Sequence, residues 1–541
     1  MIKINQKLHF PLIIVGTYLA VLIFYCPVTH FPFLYFDDTS FVLKNNFLGK
    51  FSFDNLINLW KVGTIDREKL YIPLTYTSYF LESAMFGKNA SLMHLNNLLL
   101  HIANTFLLIL ILRRIGVDML VCFLSVLLFA FHWFQVEPVA WIMGRKDLLS
   151  TFFCLCAVYI QLSNTKTTGF IRFPVLLLGA AAMLSKPSAA ILPLILIGVE
   201  IFKGRALSQS IRMNSVLIVV AVSVYVLNSL NPLAGGIRGS LVFSFFSLSH
   251  FAALWFKQFF LLGEAQHLYS YPSETDHFKD MLIAICIIFS TSLFLLKEGI
   301  CFKKNIIFLG IIIFVSALIP AMIRCLSLHD YIAGNRYFYL PMAGIVIAIS
   351  GISMSLNKKA KCVFHFGLIL FIMLNMLWGY VDMISWSSNV SLWRYELETK
   401  PFSARLNYQL GAAYQEEQGR KEEAVYYYRR SMALDPRFDE PMITLGIIYY
   451  EQGKLAEASA LFNRAIEVGT PLKPQVYSNL AEVYLKMGER IKAADIFRKA
   501  LSLSPDFEYA KKRLIEIQKM EDSNESLPTP PTLKRPFAEK D

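Results

Sequence analysis

Charge is scarce in this chain. Only 17% of its 541 residues are Asp, Glu, Lys or Arg, against 55% hydrophobic and 14% aromatic, and the mean hydropathy is +0.47. Soluble domains are richer in charge, and many apolar runs here are long enough to cross hydrocarbon, so a wholly soluble protein is excluded. Cysteine is the second scarcity. The eight cysteines lie mainly within the apolar runs and none falls in the polar C-terminal part, which excludes a disulfide framework; no metal-type Cys/His spacing occurs either. The third absence is a compact basic patch. Net charge is +12, but the basic residues mostly punctuate apolar runs, so the expected partner is a lipid bilayer and not nucleic acid.

What is present is a polytopic membrane protein with a polar tail. Apolar runs predict about eleven spanning helices, at 10–28, 92–112, 118–134, 147–163, 171–185, 187–202, 213–230, 280–297, 305–323, 338–356 and 362–381. Lys3 and Lys7 precede the first run and no small-residue cleavage site follows it, which reads as an uncleaved signal-anchor helix. Loop charge then sets the orientation. With the N-terminus inside, the cytoplasmic ends carry Arg113/Arg114, Lys166, Lys203/Arg205/Arg212, Lys297/Lys303/Lys304 and Lys358/Lys359/Lys361, so every inside loop is basic. Eleven crossings leave the C-terminal part outside. The apolar stretch Phe243–Leu262, broken by His250, Lys257 and Gln258, reads as an interfacial or re-entrant helix; counted as a span, it would put the tail inside.

After Trp386 the pattern changes to soluble helices with an internal period. Gly411, Gly446 and Ala481 lie 35 residues apart, each preceded by Leu and followed by a tyrosine three residues on. Ala424, Tyr428 and Pro436 follow in the first set, Ala458, Phe462 and Ala465 in the second, and Ala493, Phe497, Ala500 and Pro505 in the third. Small residues that let paired helices approach, aromatics that fill between them and a terminating proline make the tetratricopeptide pattern. The chain therefore divides into a membrane domain at 1–385 with its first outer loop at 29–91, a linker at 386–403, three repeats plus a capping helix at 404–519, and a proline-rich disordered tail at 520–541.

Unusual polar residues collect on the outer face. Asp37 and Asp38 sit between aromatics in the first outer loop, where paired carboxylates need partners, water or a task. Asp followed by Thr39 and Ser40 is also good helix-cap chemistry. His94 and Asn96, with His101 two turns deeper, open the second span; capping and function are equally served there. His132 leads into Glu137-Pro138-Val139-Ala140-Trp141 and then Gly144-Arg145-Lys146-Asp147; Lys146 reads best as a contact to lipid headgroups. Lys186, in Leu184-Ser185-Lys186-Pro187, is an ionisable group between two short spans, a placement that usually marks function. Arg336 in Asn335-Arg336-Tyr337 serves equally as an aromatic-belt anchor or a binding group. Cations and carboxylates converging on one leaflet suit a phosphate-bearing lipid and a nearby general base.

In this order, followed by tetratricopeptide repeats, these motifs resemble the transmembrane-and-TPR protein O-mannosyltransferases, and more distantly the protein O-mannosyltransferase branch of the GT-C glycosyltransferases. The resemblance runs over nearly the whole chain, and three repeats make it a short, bacterial-type member. It implies an all-α fold, a GT-C-like membrane bundle followed by an α-solenoid, and an enzyme that moves mannose or another hexose from a polyprenyl-phosphate donor to Ser or Thr hydroxyls of exported proteins. Transfer would be inverting. By motif correspondence Asp37 is the general base, Asp38 orients the acceptor, and Glu137 is the rival carboxylate. Arg145, Lys186 and Arg336 would hold the donor phosphate, with His94, Asn96 and His132 in support. No cofactor or metal ligand is named, and a divalent-metal requirement stays open. The acceptor would be a protein or peptide, received through the repeats, with the repeats in the periplasm of a bacterial inner-membrane protein or in the lumen of the endoplasmic reticulum. Two departures stand out: Ile72 precedes Pro73-Leu74 where Arg is expected, and Pro187 follows Lys186 where Glu is expected. The rival readings are a non-catalytic membrane scaffold whose repeats recruit envelope proteins and, less well supported, a transporter; a transporter would carry its charges near the midplane.

Overall fold

The computed structural model describes residues 6–35, 37–62, 71–164, 172–229, 241–261, 305–325, 334–416, 420–523 and 533. Among these the secondary structure is helical throughout, with no strand. Contacts divide the chain into two compact units, one ending at Ser391 and one beginning at Leu392. The stretch expected as a linker carries a helix, Asn389–Thr399.

In the first unit six described helices are long and apolar enough to cross a membrane: Ala90–Arg114, Ile142–Ser163, Leu207–Asn228, Ile306–Ile323, Asn335–Ser355 and Lys358–Ser385. The helices Met119–Phe131 and Trp133–Ala140 are together as long and apolar, with a 53° bend between them. The segments expected at 10–28, 171–185 and 187–202 are shorter apolar helices, Ile14–His30, Phe173–Ser185 and Pro187–Phe202. The expected span 280–297, with Lys297, Lys303 and Lys304, lies outside the described residues, as do Lys3, Lys166 and nearly all of the expected disordered tail. The stretch read as interfacial is a 21-residue helix, Leu241–Leu261.

Glycine sets the closest helix packing. A Cβ on Gly310 would strike the backbone of Ala348, and one on Gly344 the backbone of Phe314, so Ile306–Cys325 and Tyr339–Ser355 meet backbone to backbone through small residues, as membrane helices do. The basic residues expected inside gather at one end of the unit. Arg114 donates to the Ser163 carbonyl at 2.9 Å, Lys203 to the carbonyls of Gln161 and Asn164 at 2.8 and 2.6 Å, and Lys361 pairs with Asp118 at 3.2 Å. Cations on the last carbonyls of a helix satisfy orphan acceptors and offset its dipole. The helix Arg145–Ser163 runs from that end to the polar motifs, about 28 Å at 1.5 Å per residue.

In the second unit helices pair as the repeats predict: Ala404–Glu416 with Lys421–Leu434, Glu440–Glu451 with Leu455–Glu467, Lys473–Lys486 with Arg490–Leu503, then Glu508–Ser523. A Cβ on Gly411 would stand 2.9 Å from the Tyr428 ring and one on Gly446 2.8 Å from the Phe462 ring, which is why the period carries a small residue there. Glu482, fully buried, is held by Arg513 at 2.6 and 2.9 Å and by the Tyr509 hydroxyl at 3.0 Å, which locks the last helix onto the third pair.

Candidate functional site

The polar motifs sit where helices break. His132 has extended backbone, as has Trp141; between them lie the short turns Trp133–Gln135 and Val136–Ala140, and after Trp141 a third, Ile142–Gly144, and every residue of the three is buried. Gly144 is required there, since a Cβ would meet the backbone of Pro138. Lys186 is likewise extended (φ −155°, ψ 123°), because the residue before a proline is driven out of the helical region. Pro187 thus ends one helix and starts the next, leaving Lys186 at the join, and Thr75 Oγ caps the carbonyl of Ser185 at 2.9 Å.

Two cations occupy the breaks, each held by a carboxylate. Arg336 Nη1 donates to Glu137 Oε1 at 2.5 Å and its backbone N–H to Oε2 at 2.9 Å. Lys186 is paired with Asp147 Oδ1. Both cations border one cavity, whose lining includes the polar residues Asp147, Ser150, Thr151 and Ser188 and the apolar residues Ile191, Ala317, Pro320 and Leu340. Tyr337, also in its wall, lies 4.9 Å from the Lys186 ammonium, close enough for a cation–π contact.

The Asp pair splits into two environments. Asp38 is fully buried; its Oδ2 accepts the N–H of Leu34 at 3.0 Å and its Oδ1 that of Met143 at 3.3 Å, so it ties its own loop to the turn at Ile142–Gly144. Burial, helped by the neighbouring Asp37 charge, pushes its carboxyl up to about 7 against those two N–H donors. Asp37 is half-buried and within electrostatic reach of Lys146, which in turn feels Arg336, Asp147 and Lys186. Trp141 joins the two sides: the Lys146 ammonium lies 4.6 Å from its ring centre and the Arg336 guanidinium carbon 5.3 Å.

Several expected members stand elsewhere. Arg145 is 2% exposed and every guanidinium nitrogen has a partner: Nε on Asn97 Oδ1 at 3.0 Å, Nη1 on Glu82 at 2.6 Å and Nη2 on the Met93 carbonyl at 2.8 Å. Asn96 is exposed; its neighbour Asn97 makes the buried contacts, including two to the carbonyls of Trp141 and Ile142 at 2.9 and 3.2 Å. His94 is buried edge-on to Phe31, and His132 caps the Phe134 N–H at 3.3 Å and stacks on Phe259. His101 bonds Tyr339 at 2.8 Å within the core. Ile72, in place of the expected Arg, is fully buried at the start of Pro73–Phe86. Glu82 is a member that sequence reasoning missed, although a lone acid in an apolar helix is itself a signal. Among the described residues no group of three or more His, Cys, Asp or Glu could hold a metal ion.

Two tetratricopeptide-repeat family models match the chain, over residues 404–438 and 441–506. A Caenorhabditis elegans protein O-mannosyl-transferase is 24% identical over 441 residues, 75% of this chain and 60% of that protein. Protein O-mannosyl-transferase TMTC1 of Homo sapiens is 25% identical over 146 residues (26% of this chain, 16% of that one), and TMTC2 of Mus musculus 34% over 102 residues (19% and 12%). This chain thus spans 60% of the length of the Caenorhabditis elegans relative and less of the other two. Fold and repeats define a multi-pass membrane protein with a helical-repeat unit. Beyond the repeats, the chain is similar to these relatives, which are named protein O-mannosyl-transferases.

Proposed function

We propose that the membrane unit transfers a hexose from a polyprenyl-phosphate donor to Ser or Thr hydroxyls of exported proteins. The observation that carries this reading is a cavity whose lining combines Lys186 and Arg336 with hydroxyls and with apolar residues, the mixture a lipid phosphate requires. The acceptor hydroxyl oxygen attacks the anomeric carbon while the bond from that carbon to the phosphate oxygen breaks. The electron pair leaves with the polyprenyl phosphate, whose growing charge Lys186 and Arg336 stabilise. Asp37 takes the hydroxyl proton. A single base and direct attack invert the anomeric centre through an oxocarbenium-like transition state.

Asp38 has both oxygens on backbone N–H groups, so its part is to hold Asp37 against the second outer loop. Glu137, closed onto Arg336 by two hydrogen bonds, positions that cation and is a poorer candidate for the base. Arg145 braces the second loop against Glu82 and Asn97, leaving donor binding to Lys186 and Arg336. The basic end described above faces the cytoplasm, so the site and the repeats lie outside, in the periplasm of a bacterial cell, where the repeats receive the acceptor. Transfer from a polyprenyl-phosphate hexose to a Ser/Thr peptide by the purified protein tests the reading. Activity is expected from the wild type and from Glu137→Gln at a reduced rate, and not from Asp37→Asn; Asp37→Asn at near-normal turnover beside a dead Glu137→Gln would move the base to the second loop.

A further inference from the structure

The helix Arg145–Ser163 carries a row of oxygens that this chemistry leaves unused. Asp147, Ser150 and Thr151 stand at i, i+3 and i+4, one face of a helix, and all three line the cavity bordered by Lys186 and Arg336. Their exposures are 5%, 5% and 3%. Asp147 gives Oδ1 to Lys186, while its Oδ2 is buried with no hydrogen-bond partner among the described residues. A buried carboxylate oxygen without a donor is costly, and native proteins rarely tolerate one, so the site calls for a donor that the described residues do not supply. Phosphate cannot serve, being an acceptor and an anion. A neutral hydroxyl can. Because Asp147 touches Lys186, a ligand with its phosphate on Lys186 brings to Asp147 a group joined to that phosphate, and of the two such groups in the proposed donor, polyprenyl chain and sugar, only the sugar carries hydroxyls.

We propose that Asp147, with Ser150 and Thr151, forms the subsite that reads the hydroxyls of a neutral donor hexose beside the Lys186–Arg336 phosphate site. The inference rests on the donor reading above, and its test separates the two. Binding of polyprenyl phosphate and of polyprenyl-phosphate mannose is measured on the purified full-length protein. The wild type should prefer the sugar-bearing lipid. Asp147→Asn should weaken binding of the sugar-bearing lipid about tenfold to a hundredfold, as for loss of one hydrogen bond to a charged group, and leave the bare lipid phosphate unchanged or tighter. Should that variant not fold, Ser150→Ala with Thr151→Val decides: the preference should shrink by about twofold to tenfold. Equal weakening of both lipids by Asp147→Asn would show that Asp147 only holds Lys186, and an undiminished preference in the hydroxyl variant would likewise overturn the subsite. A wild type that prefers neither lipid sinks the subsite alone; one that binds neither sinks the donor reading with it.

Discussion

The two units bury ion pairs in opposite ways. In the C-terminal unit Glu482 and Arg513 close on each other through two hydrogen bonds, Tyr509 adds a third, and Glu516 takes Nη1 of Arg513 at 2.5 Å. In the membrane unit Lys186 with Asp147 and Arg336 with Glu137 sit at helix breaks and border a cavity. The charge follows the same division. Before Leu392 there are 29 Lys and Arg against 17 Asp and Glu, and from Leu392 onward 23 against 23, so the whole excess of positive charge belongs to the membrane unit. A pair closed on all sides is architecture. A pair open to a cavity holds its cation ready for another anion. Arg145, saturated by Glu82, Asn97 and Met93, shows that the membrane unit contains the closed kind too.

That contrast can be broken at graded points. Asp37→Asn carries the largest expected effect, a loss of turnover of about 10²–10⁴-fold with donor binding kept, because it removes a general base and no phosphate contact. Turnover and lipid affinity measured on one preparation check it. Arg145→Met comes next. It strands Glu82 in the interior and should cost about 3–5 kcal/mol of stability, read as a lower melting temperature and poor recovery from membranes. In the solenoid, Gly446→Val forces side-chain carbons onto the Phe462 ring and should cost about 1–3 kcal/mol in thermal unfolding, with donor affinity untouched. A further test is the pH dependence of Asp38. Its folded value is raised from 3.8 to about 7, so the fold favours the protonated form. The stability this contributes is fully present below the unfolded value and is lost as pH rises through the folded one. Melting temperature should therefore fall between roughly pH 4 and 7, and Asp38→Asn should flatten that stretch of the profile.

Much of this organisation is legible in the sequence because it depends on local pattern. Apolar run length located the six helices long enough to span and the bent pair, the 35-residue recurrence located the repeats, and the loop charges pointed to the end at which Arg114, Lys203 and Lys361 gather. The ordered motifs brought Asp37, Glu137, Lys186 and Arg336 into one reading. Pairing was not legible. Glu137 meets Arg336 across 199 residues and Arg145 meets Glu82 across 63, and a single sequence carries no record of which acid faces which base. The choice of Asn97 over Asn96 turns on helix rotation, about 100° per residue, which is set by packing against the turn at Trp141 and Ile142. Arg145 was taken with the donor cations because its neighbours in sequence are polar, yet it opens a helix and reaches back into the first loop's partner helix, Pro73–Phe86.

The account stands or falls on whether open and closed pairs behave differently when each loses its cation. Lys186→Met and Arg513→Met do this in the membrane unit and the solenoid respectively, and each variant is measured for polyprenyl-phosphate affinity and melting temperature on the full-length protein. Lys186→Met should lose about tenfold to a hundredfold in lipid-phosphate affinity, as for loss of a charge-assisted contact. Arg513→Met should keep that affinity while the solenoid loses about 3–5 kcal/mol through the stranded Glu482. Unchanged lipid-phosphate affinity in Lys186→Met, with stability lost as in Arg513→Met, would make both pairs architecture and would contradict the account.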